Sequence, residues 1–138
     1  MTTRWENFGV TDSMIFDTDV LIWVQRGNMK AARTVEDADS RSVSVLTYME
    51  LLQCARNKEQ QNHIRDFLVK YNFETIPLSE NIGHRAAIYV EEYSMSSGLR
   101  AGDAIIAATA AENNLILVTG NEKHFRPIKD LKMTVFKP

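Results

Sequence analysis

Apolar and polar positions follow two different periods along the chain, and the two periods alternate from one end to the other. Short apolar or alternating runs are typical of strands, whereas apolar residues three and four positions apart indicate one face of a helix. The strand-like runs cover residues 14–16, 41–46, 73–78, 115–118 and 133–136. The helical stretches cover about residues 18–25, 29–38, 47–56, 59–70, 79–98, 99–111 and 122–126. This order predicts a three-layer α/β domain in which helices flank a central, largely parallel sheet.

The composition indicates an ordinary soluble protein. A chain of 138 residues, 44% hydrophobic and 25% charged, fits a single domain. We expect that domain to span residues 14–138, after a mobile N-terminal extension over residues 1–13. No apolar run approaches the roughly 20 residues that a membrane span needs. The N-terminus also lacks a basic region followed by an apolar one, so we expect a cytoplasmic protein with no membrane contact.

The cysteine count and the charge narrow the possible chemistry. The single cysteine, Cys54, excludes an internal disulfide and cannot form a thiolate metal site alone. Its apolar neighbours predict a small residue of the core. The formal net charge of −2 argues against a generic basic coat for nucleic acid.

Two aspartates follow the first predicted strand. Asp17, Thr18 and Asp19 come directly after the apolar residues 14–16. Carboxylates at the end of a buried strand are unfavourable unless a cation or a helix N-terminus receives them. We expect Thr18 or Asp19 to cap the following helix, and a metal role for Asp19 stays open beside the cap.

Glu50 has two possible roles. Thr47 and Glu50 fit a capping box, in which a threonine caps a helix and a glutamate three residues later bonds back to the cap. Glu50 would also lie in the first helical turn after a strand, where side chains converge at the carboxyl edge of an α/β sheet. The local pattern does not decide between the two roles.

Asp103 is the strongly polar residue at the start of the most apolar predicted helix, over residues 99–111. The helix's own residues are small and apolar on all of its sides, which predicts that the helix is central and covered by other elements. The helix dipole explains why an acid is tolerated in its first turn. It does not explain why an acid begins the most buried helix of the domain.

A further set of polar residues follows the apolar strand at 115–118. Thr119 and Asn121 are expected at the same edge of the sheet as Asp17. His124, three residues after Asn121, is expected to pack and form hydrogen bonds locally. Asp17, Glu50, Asp103 and Asn121 can therefore converge in one crevice.

Four segments, in this order and spacing, resemble the motifs of PIN-domain ribonucleases of the VapC toxin type. They read FDTDVLI at 16–22, YMEL at 48–51, GLRAGDAIIAA at 98–108 and LVTGNEKHF at 117–125. The resemblance runs from Met14 to about Phe136. It implies a PIN-like fold for the domain.

The resemblance also implies the residues of the site. It matches the catalytic and metal-binding positions to Asp17, Glu50, Asp103 and Asn121. It gives supporting positions to Thr18, Asp19 and Thr119. Arg100, three residues before Asp103, is the best candidate for an RNA contact. Carboxylate and amide oxygens suit Mg²⁺ or Mn²⁺, and the resemblance is compatible with one or two ions.

The function that the resemblance implies is metal-dependent cleavage of RNA phosphodiesters by water. The protein would be the toxin of a toxin–antitoxin pair, held by a cognate antitoxin and paired with itself as a homodimer. The alternative is a catalytically weak or inactive interaction module of the same fold.

Overall fold

A computed structural model describes residues 13–138 and shows one sheet of five parallel strands. The strands are β1 (Ser13–Phe16), β2 (Ser40–Ser44), β3 (Phe73–Ile76), β4 (Ile116–Thr119) and β5 (Lys132–Val135). Their order in the sheet is β3-β2-β1-β4-β5, so β1 lies in the centre and β3 and β5 form the edges. The predicted parallel sheet is confirmed. The predicted mobile extension lies outside the described residues, apart from Ser13, which begins β1.

Seven helices connect or follow the strands within the described part of the chain. They are α1 (Thr18–Gln25), α2 (Met29–Asp37), α3 (Val45–Cys54), α4 (Lys58–Lys70), α5 (Glu80–Ser97), α6 (Ala101–Glu112) and α7 (Glu122–Phe125). No helix within this range has the length and apolar character that a membrane crossing requires.

The helices cover both faces of the sheet, as the two hydrophobic cores show. Ile15 of β1 and Leu117 of β4 belong to a core shared with α5 and α6. Their neighbours Phe16 and Val118 belong to the other core, shared with α1, α2, α3 and α4. Successive side chains of a strand point to opposite faces, so both central strands are covered on two sides. The predicted three-layer architecture is confirmed.

The apolar helix α6 is central, as its sequence predicts. Its buried residues include Ala104, Ala107 and Ala108, all with no exposed surface. Small side chains let neighbouring elements approach closely, and α5 packs along α6 in the same core. Asp103 at the start of α6 is thereby held against a rigid part of the fold.

Of the two roles left open for Glu50, the structure excludes the capping box with Thr47. Helix α3 begins at Val45, and its N-cap is Ser44, whose hydroxyl accepts a hydrogen bond from the Leu46 amide at 3.1 Å. Thr47 is buried inside the helix, and Glu50 lies in its second turn rather than its first. Glu50 is therefore free of a capping role.

The prediction that Cys54 belongs to the core is also wrong. Cys54 is the last residue of α3, and its side chain is exposed. The apolar neighbours that suggested burial include Leu51, which faces the core from one turn earlier.

Candidate active site

The candidate site lies where β1 and β4, neighbours in the centre of the sheet, reach their carboxyl ends. Phe16 pairs with Val118, and the Asp17 amide donates a hydrogen bond to the Val118 carbonyl at 2.9 Å. The register therefore sets Asp17 beside Thr119. Polar residues at this edge of a parallel sheet line the crevice where ligands bind in open α/β folds.

Asp17 is the buried acid of the site, with 7% of its surface exposed. Its Oδ2 accepts a hydrogen bond from the Thr119 hydroxyl at 2.7 Å, and its Oδ1 accepts one from the Thr18 amide at 2.8 Å. Burial raises the pKa of Asp17 to about 7, the Asp19 carboxylate adds to the rise, and both hydrogen bonds oppose it. A bound cation would reverse this balance and favour the ionised carboxylate.

The prediction that Thr18 or Asp19 caps α1 is wrong, because the N-cap is Asp17. Asp19 lies inside the first turn, and its Oδ2 accepts a hydrogen bond from the Gly120 amide at 3.0 Å. Its Oδ1 is buried and has no hydrogen-bond partner among the described residues. Burial, which is the largest cause, raises the pKa of Asp19, and the Asp103 carboxylate adds to the rise.

Gly120 makes the approach of Asp19 possible. A Cβ atom at this position would lie 2.8 Å from Asp19 Oδ2 and 3.3 Å from the Phe136 carbonyl oxygen. A side chain here would therefore displace either the Asp19 carboxylate or the backbone beyond β5. The glycine serves close approach between the two strand ends.

Asp103 approaches the site from the first turn of α6. Its Oδ2 accepts a hydrogen bond from the Arg100 amide at 3.2 Å and lies 3.1 Å from Nδ1 of His124. The same imidazole nitrogen lies 2.8 Å from the amide nitrogen of Asn121. The Asn121 backbone amide in turn donates to the Thr119 hydroxyl at 3.0 Å, which links this group to Asp17.

Glu50 reaches the site through Thr18. The Thr18 hydroxyl donates a hydrogen bond to Glu50 Oε1 at 2.6 Å and lies 3.1 Å from the buried Thr47 hydroxyl. Thr18 directly follows Asp17, so Glu50 is held one residue away from the central acid.

The structure brings together most of the residues that the sequence predicts, although with different contacts. In addition to burial, the Asp19 and Asp103 carboxylates raise the pKa of Asp17, and Asp103 also raises that of Asp19. Thr119 donates a hydrogen bond to Asp17. Arg100 is exposed at the entrance, and only its backbone amide is bonded to Asp103. The sequence interpretation missed His124 as a member of the site. Its spacing of three residues from Asn121 was the available signal, since such residues share a helix face.

The donor set fits a hard divalent cation. In the described part of the chain, no arginine or lysine forms an ion pair with Asp17, Asp19 or Asp103. Three neighbouring carboxylates provide the oxygen ligands that Mg²⁺ and Mn²⁺ prefer, and one of their oxygens, the buried Oδ1 of Asp19, has no hydrogen-bond partner among the described residues. Residues 13–138 hold no ready-made cluster of three or more His, Cys, Asp or Glu ligands. The side chains would therefore adjust when an ion binds.

Residues 14–130 match the family model of the PIN domain. The chain belongs to the PIN-domain family. The family predicted from the four sequence motifs is thus confirmed.

Individual relatives support the same family. The chain is 32% identical over 123 residues to ribonuclease VapC10 of Mycobacterium tuberculosis. The alignment covers 86% of this chain and 90% of that relative. A chain in a toxin–antitoxin complex from Klebsiella pneumoniae superposes with a TM-score of 0.78 at 31% identity, covering 91% of this chain and all of that one. A chain of VapBC2 from Rickettsia felis, bound to a DNA fragment from its promoter, gives a TM-score of 0.74 at 19% identity. That superposition covers 90% of this chain and 98% of the other, and it supports the fold alone.

Proposed function

We propose that this protein is a metal-dependent endoribonuclease and the toxin of a toxin–antitoxin pair. One observation carries the metal-dependent chemistry: Asp17, Asp19 and Asp103 meet at the carboxyl ends of the central strands without a compensating arginine or lysine among the described residues. Membership of the PIN-domain family and the similarity to a VapC ribonuclease support the ribonuclease assignment.

The proposed metal ligands are Asp17, Glu50, Asp103 and Asn121. Mg²⁺ or Mn²⁺, as one or two ions, supplies Lewis-acid chemistry when bound: it activates water for attack and stabilises charge on the phosphodiester. Asp17 is the central ligand, because its strand enters the middle of the site. Glu50 and Asp103 would hold the ion from α3 and α6, and Asn121 would hold it through its neutral amide oxygen or through a water molecule.

The other residues of the site position these ligands. Thr119 donates to Asp17 Oδ2 and fixes the direction of the second carboxylate oxygen. Thr18 donates to Glu50 and holds it near Asp17. Asp19 bonds to the Gly120 amide and ties the two strand ends together. Two of the proposed ligands, Asp17 and Glu50, thus have a neighbour that orients them by a hydrogen bond, as metal ligands usually do.

Arg100 is the proposed contact to the RNA backbone. It is the N-cap residue of α6, exposed, and three residues before Asp103. A guanidinium at this entrance would bind a phosphate next to the scissile bond and set the register of the strand. The family resemblance implies cleavage products with a 5′-phosphate and a 3′-hydroxyl.

The proposed partners follow from the same relatives. Solved relatives with this fold are toxin–antitoxin complexes, one of them bound to promoter DNA. We assign this protein a cognate antitoxin that covers the acidic crevice, a homodimeric state and a cytoplasmic location where its RNA lies. The exposed Met29 at the start of α2 is one apolar position available to such contacts.

RNA cleavage by the purified protein tests the metal assignment. We expect cleavage of a structured RNA with Mg²⁺ or Mn²⁺, none with chelator, and a loss of at least about 100-fold in Asp17→Asn, because the central ligand is removed. Asp37→Asn changes an exposed aspartate on α2 and serves as the matched control. Circular dichroism verifies that both variants are folded.

Two results would contradict the proposal. Cleavage that survives both chelator and Asp17→Asn would exclude the metal mechanism. A wild-type protein that binds its antitoxin but leaves RNA intact with either ion would favour the interaction module.

A further inference from the structure

His124 occupies a position in the active site that the proposed set of four ligands does not use. It lies on the short helix α7, and its side chain is 26% exposed, comparable to the 19% of Asp103. Its Nδ1 atom faces polar side-chain atoms of two other residues of the site, Asp103 and Asn121.

Neither protonation state of this nitrogen allows a favourable hydrogen bond to both of its polar neighbours. Nδ1 lies 3.1 Å from a carboxylate oxygen of Asp103 and 2.8 Å from the amide nitrogen of Asn121. If Nδ1 carries a proton, it donates to Asp103 but meets the N–H group of Asn121. If Nδ1 is bare, it accepts from Asn121 but directs its lone pair at a carboxylate. A cation between Nδ1 and the carboxylate removes the second conflict, and the single lone pair of Nδ1 then binds the cation in place of the Asn121 N–H group.

The spacing of the two atoms fits a shared ion. Two neighbouring ligands on an octahedral ion, each about 2.1 to 2.2 Å from it, lie roughly 3.0 Å apart. Nδ1 of His124 and Oδ2 of Asp103 are separated by 3.1 Å. Only the Asp103 oxygen belongs to the four proposed ligands, so the imidazole would add a fifth donor of a different element.

We propose that His124 Nδ1 is a nitrogen ligand at this metal centre and shifts its preference from Mg²⁺ toward Mn²⁺. The inference rests on the proposed metal-dependent function and deepens it. Mg²⁺ is a hard ion that favours oxygen and loses its water reluctantly. Mn²⁺ also favours oxygen, but as a first-row transition ion it accepts an imidazole nitrogen more readily than Mg²⁺ does. Oδ2 of Asp103 and Nδ1 of His124 would be two adjacent ligands of the ion.

The test measures metal binding without RNA, with Mn²⁺ and Mg²⁺ as the ligands in calorimetry. We expect His124→Asp to reduce the ratio of Mn²⁺ to Mg²⁺ affinity by about tenfold, because it exchanges nitrogen for oxygen in place. His84→Asp changes an exposed histidine on α5 and should leave the ratio unchanged. Pulsed electron paramagnetic resonance of bound Mn²⁺ gives an independent readout. It should show coupling to a histidine nitrogen that changes when histidine alone is labelled with ¹⁵N and that is lost in His124→Asp.

The outcomes separate this inference from the proposed function. Bound Mn²⁺ without histidine coupling, or an unchanged affinity ratio in His124→Asp, would overturn the role of His124 even if the protein cleaves RNA. Histidine coupling together with a protein that cleaves no RNA would support the ligand and contradict the nuclease function. If His124→Asp fails to fold, the ¹⁵N labelling of the wild-type protein decides alone.

Discussion

The two ends of helix α6 carry acids in opposite circumstances. Asp103 lies in the first turn and Glu112 is the last residue, about 13 Å apart along the helix axis. Glu112 is bonded to an arginine, whereas Asp103 faces other acids and a histidine. One helix therefore contributes to two acidic clusters of similar size that differ in their counter-charge.

The cluster at the C-terminal end, Glu112 and Asp130, is bridged by Arg85 of α5. The guanidinium bonds to Glu112 at 2.5 Å and also to Asp130, and Asp130 accepts a hydrogen bond from the Tyr89 hydroxyl at 3.0 Å. Burial is the main cause that raises the pKa of Tyr89 to about 12, so the phenol stays protonated and keeps donating. These bonds join α5, α6 and the loop before β5, which is a structural role.

The cluster at the N-terminal end has no such cation among the residues that the structure describes. Asp17 and Asp19 both have raised pKa values, and burial is the first cause in each. Glu112 and Asp130 have an arginine as their partner, whereas Asp17 and Asp19 leave an electrostatic cost that a bound ion would offset. The difference supports the proposal that the N-terminal end of α6 carries the chemistry.

The largest predicted effect is the change in the free energy of unfolding with pH that the buried Asp17 causes. Its pKa is about 7 in the folded chain and roughly 3.9 when unfolded, so the folded state binds the proton more tightly. Stability should therefore fall as pH rises from about 4 to about 7. In chelator, we expect the free energy of unfolding of wild type relative to Asp17→Asn to drop by about 2 to 3 kcal/mol between pH 5 and pH 8.

Urea unfolding at the two pH values measures this change. Asp37→Asn, with its exposed carboxylate, corrects for titration of the rest of the chain. A wild-type protein that gains stability relative to Asp17→Asn on going to pH 8 would contradict the sign and imply a cation partner for Asp17.

A smaller effect is expected at the other end of α6. Arg85→Met removes the cation that joins Glu112 to Asp130, and the partial exposure of all three side chains limits the loss. We expect a decrease of about 1 kcal/mol in the free energy of unfolding, seen as a lower thermal midpoint. Arg33→Met, an exposed arginine on α2, is the control. RNA cleavage should stay at the wild-type rate below the midpoint, and a selective loss of cleavage would break the division between the clusters.

The smallest effect concerns the hydrogen bond from Thr119 to Asp17. Thr119→Val removes a donor that lowers the pKa of Asp17, so the pKa of Asp17 should rise. Thr119→Ser keeps the hydroxyl and should stay close to wild type. Carbon-detected NMR titration of the Asp17 carboxyl in chelator measures the shift. A lower pKa in Thr119→Val would show that the threonine does not donate to the ionised carboxylate.

The sheet and the central helix were predictable from apolar patterns alone. The continuous run 115–118 and the small residues 104–110 have few alternatives to a covered strand and a covered helix. The expectation that Asp17 and Thr119 lie at the same edge of the sheet followed from the rule that parallel strands end at one edge. Local patterns thus fixed the elements, and topology brought their ends together.

Two features that the sequence did not reveal, the partner of Glu50 and the contact of His124, depend on contacts between distant residues. Thr47 and Glu50 have capping-box spacing, but Ser44 caps the helix and Glu50 accepts a hydrogen bond from Thr18, 32 residues earlier. His124 contacts Asp103, 21 residues before it. No window of local sequence contains either pair, so neither contact was predictable without the fold.

The parallel sheet also divides the loops into two groups with different uses in protein engineering. Asn72 and Asn114, with φ angles of 55° and 53°, precede β3 and β4 at the edge opposite the acids. A four-residue strand is about 13 Å long, so these turns lie at least that far from the carboxyl ends. A fluorophore or an affinity peptide inserted at Asn72 would report on folding and assembly without entering the crevice. The same sites allow an inactive toxin, such as Asp17→Asn, to be displayed as bait in a search for its RNA.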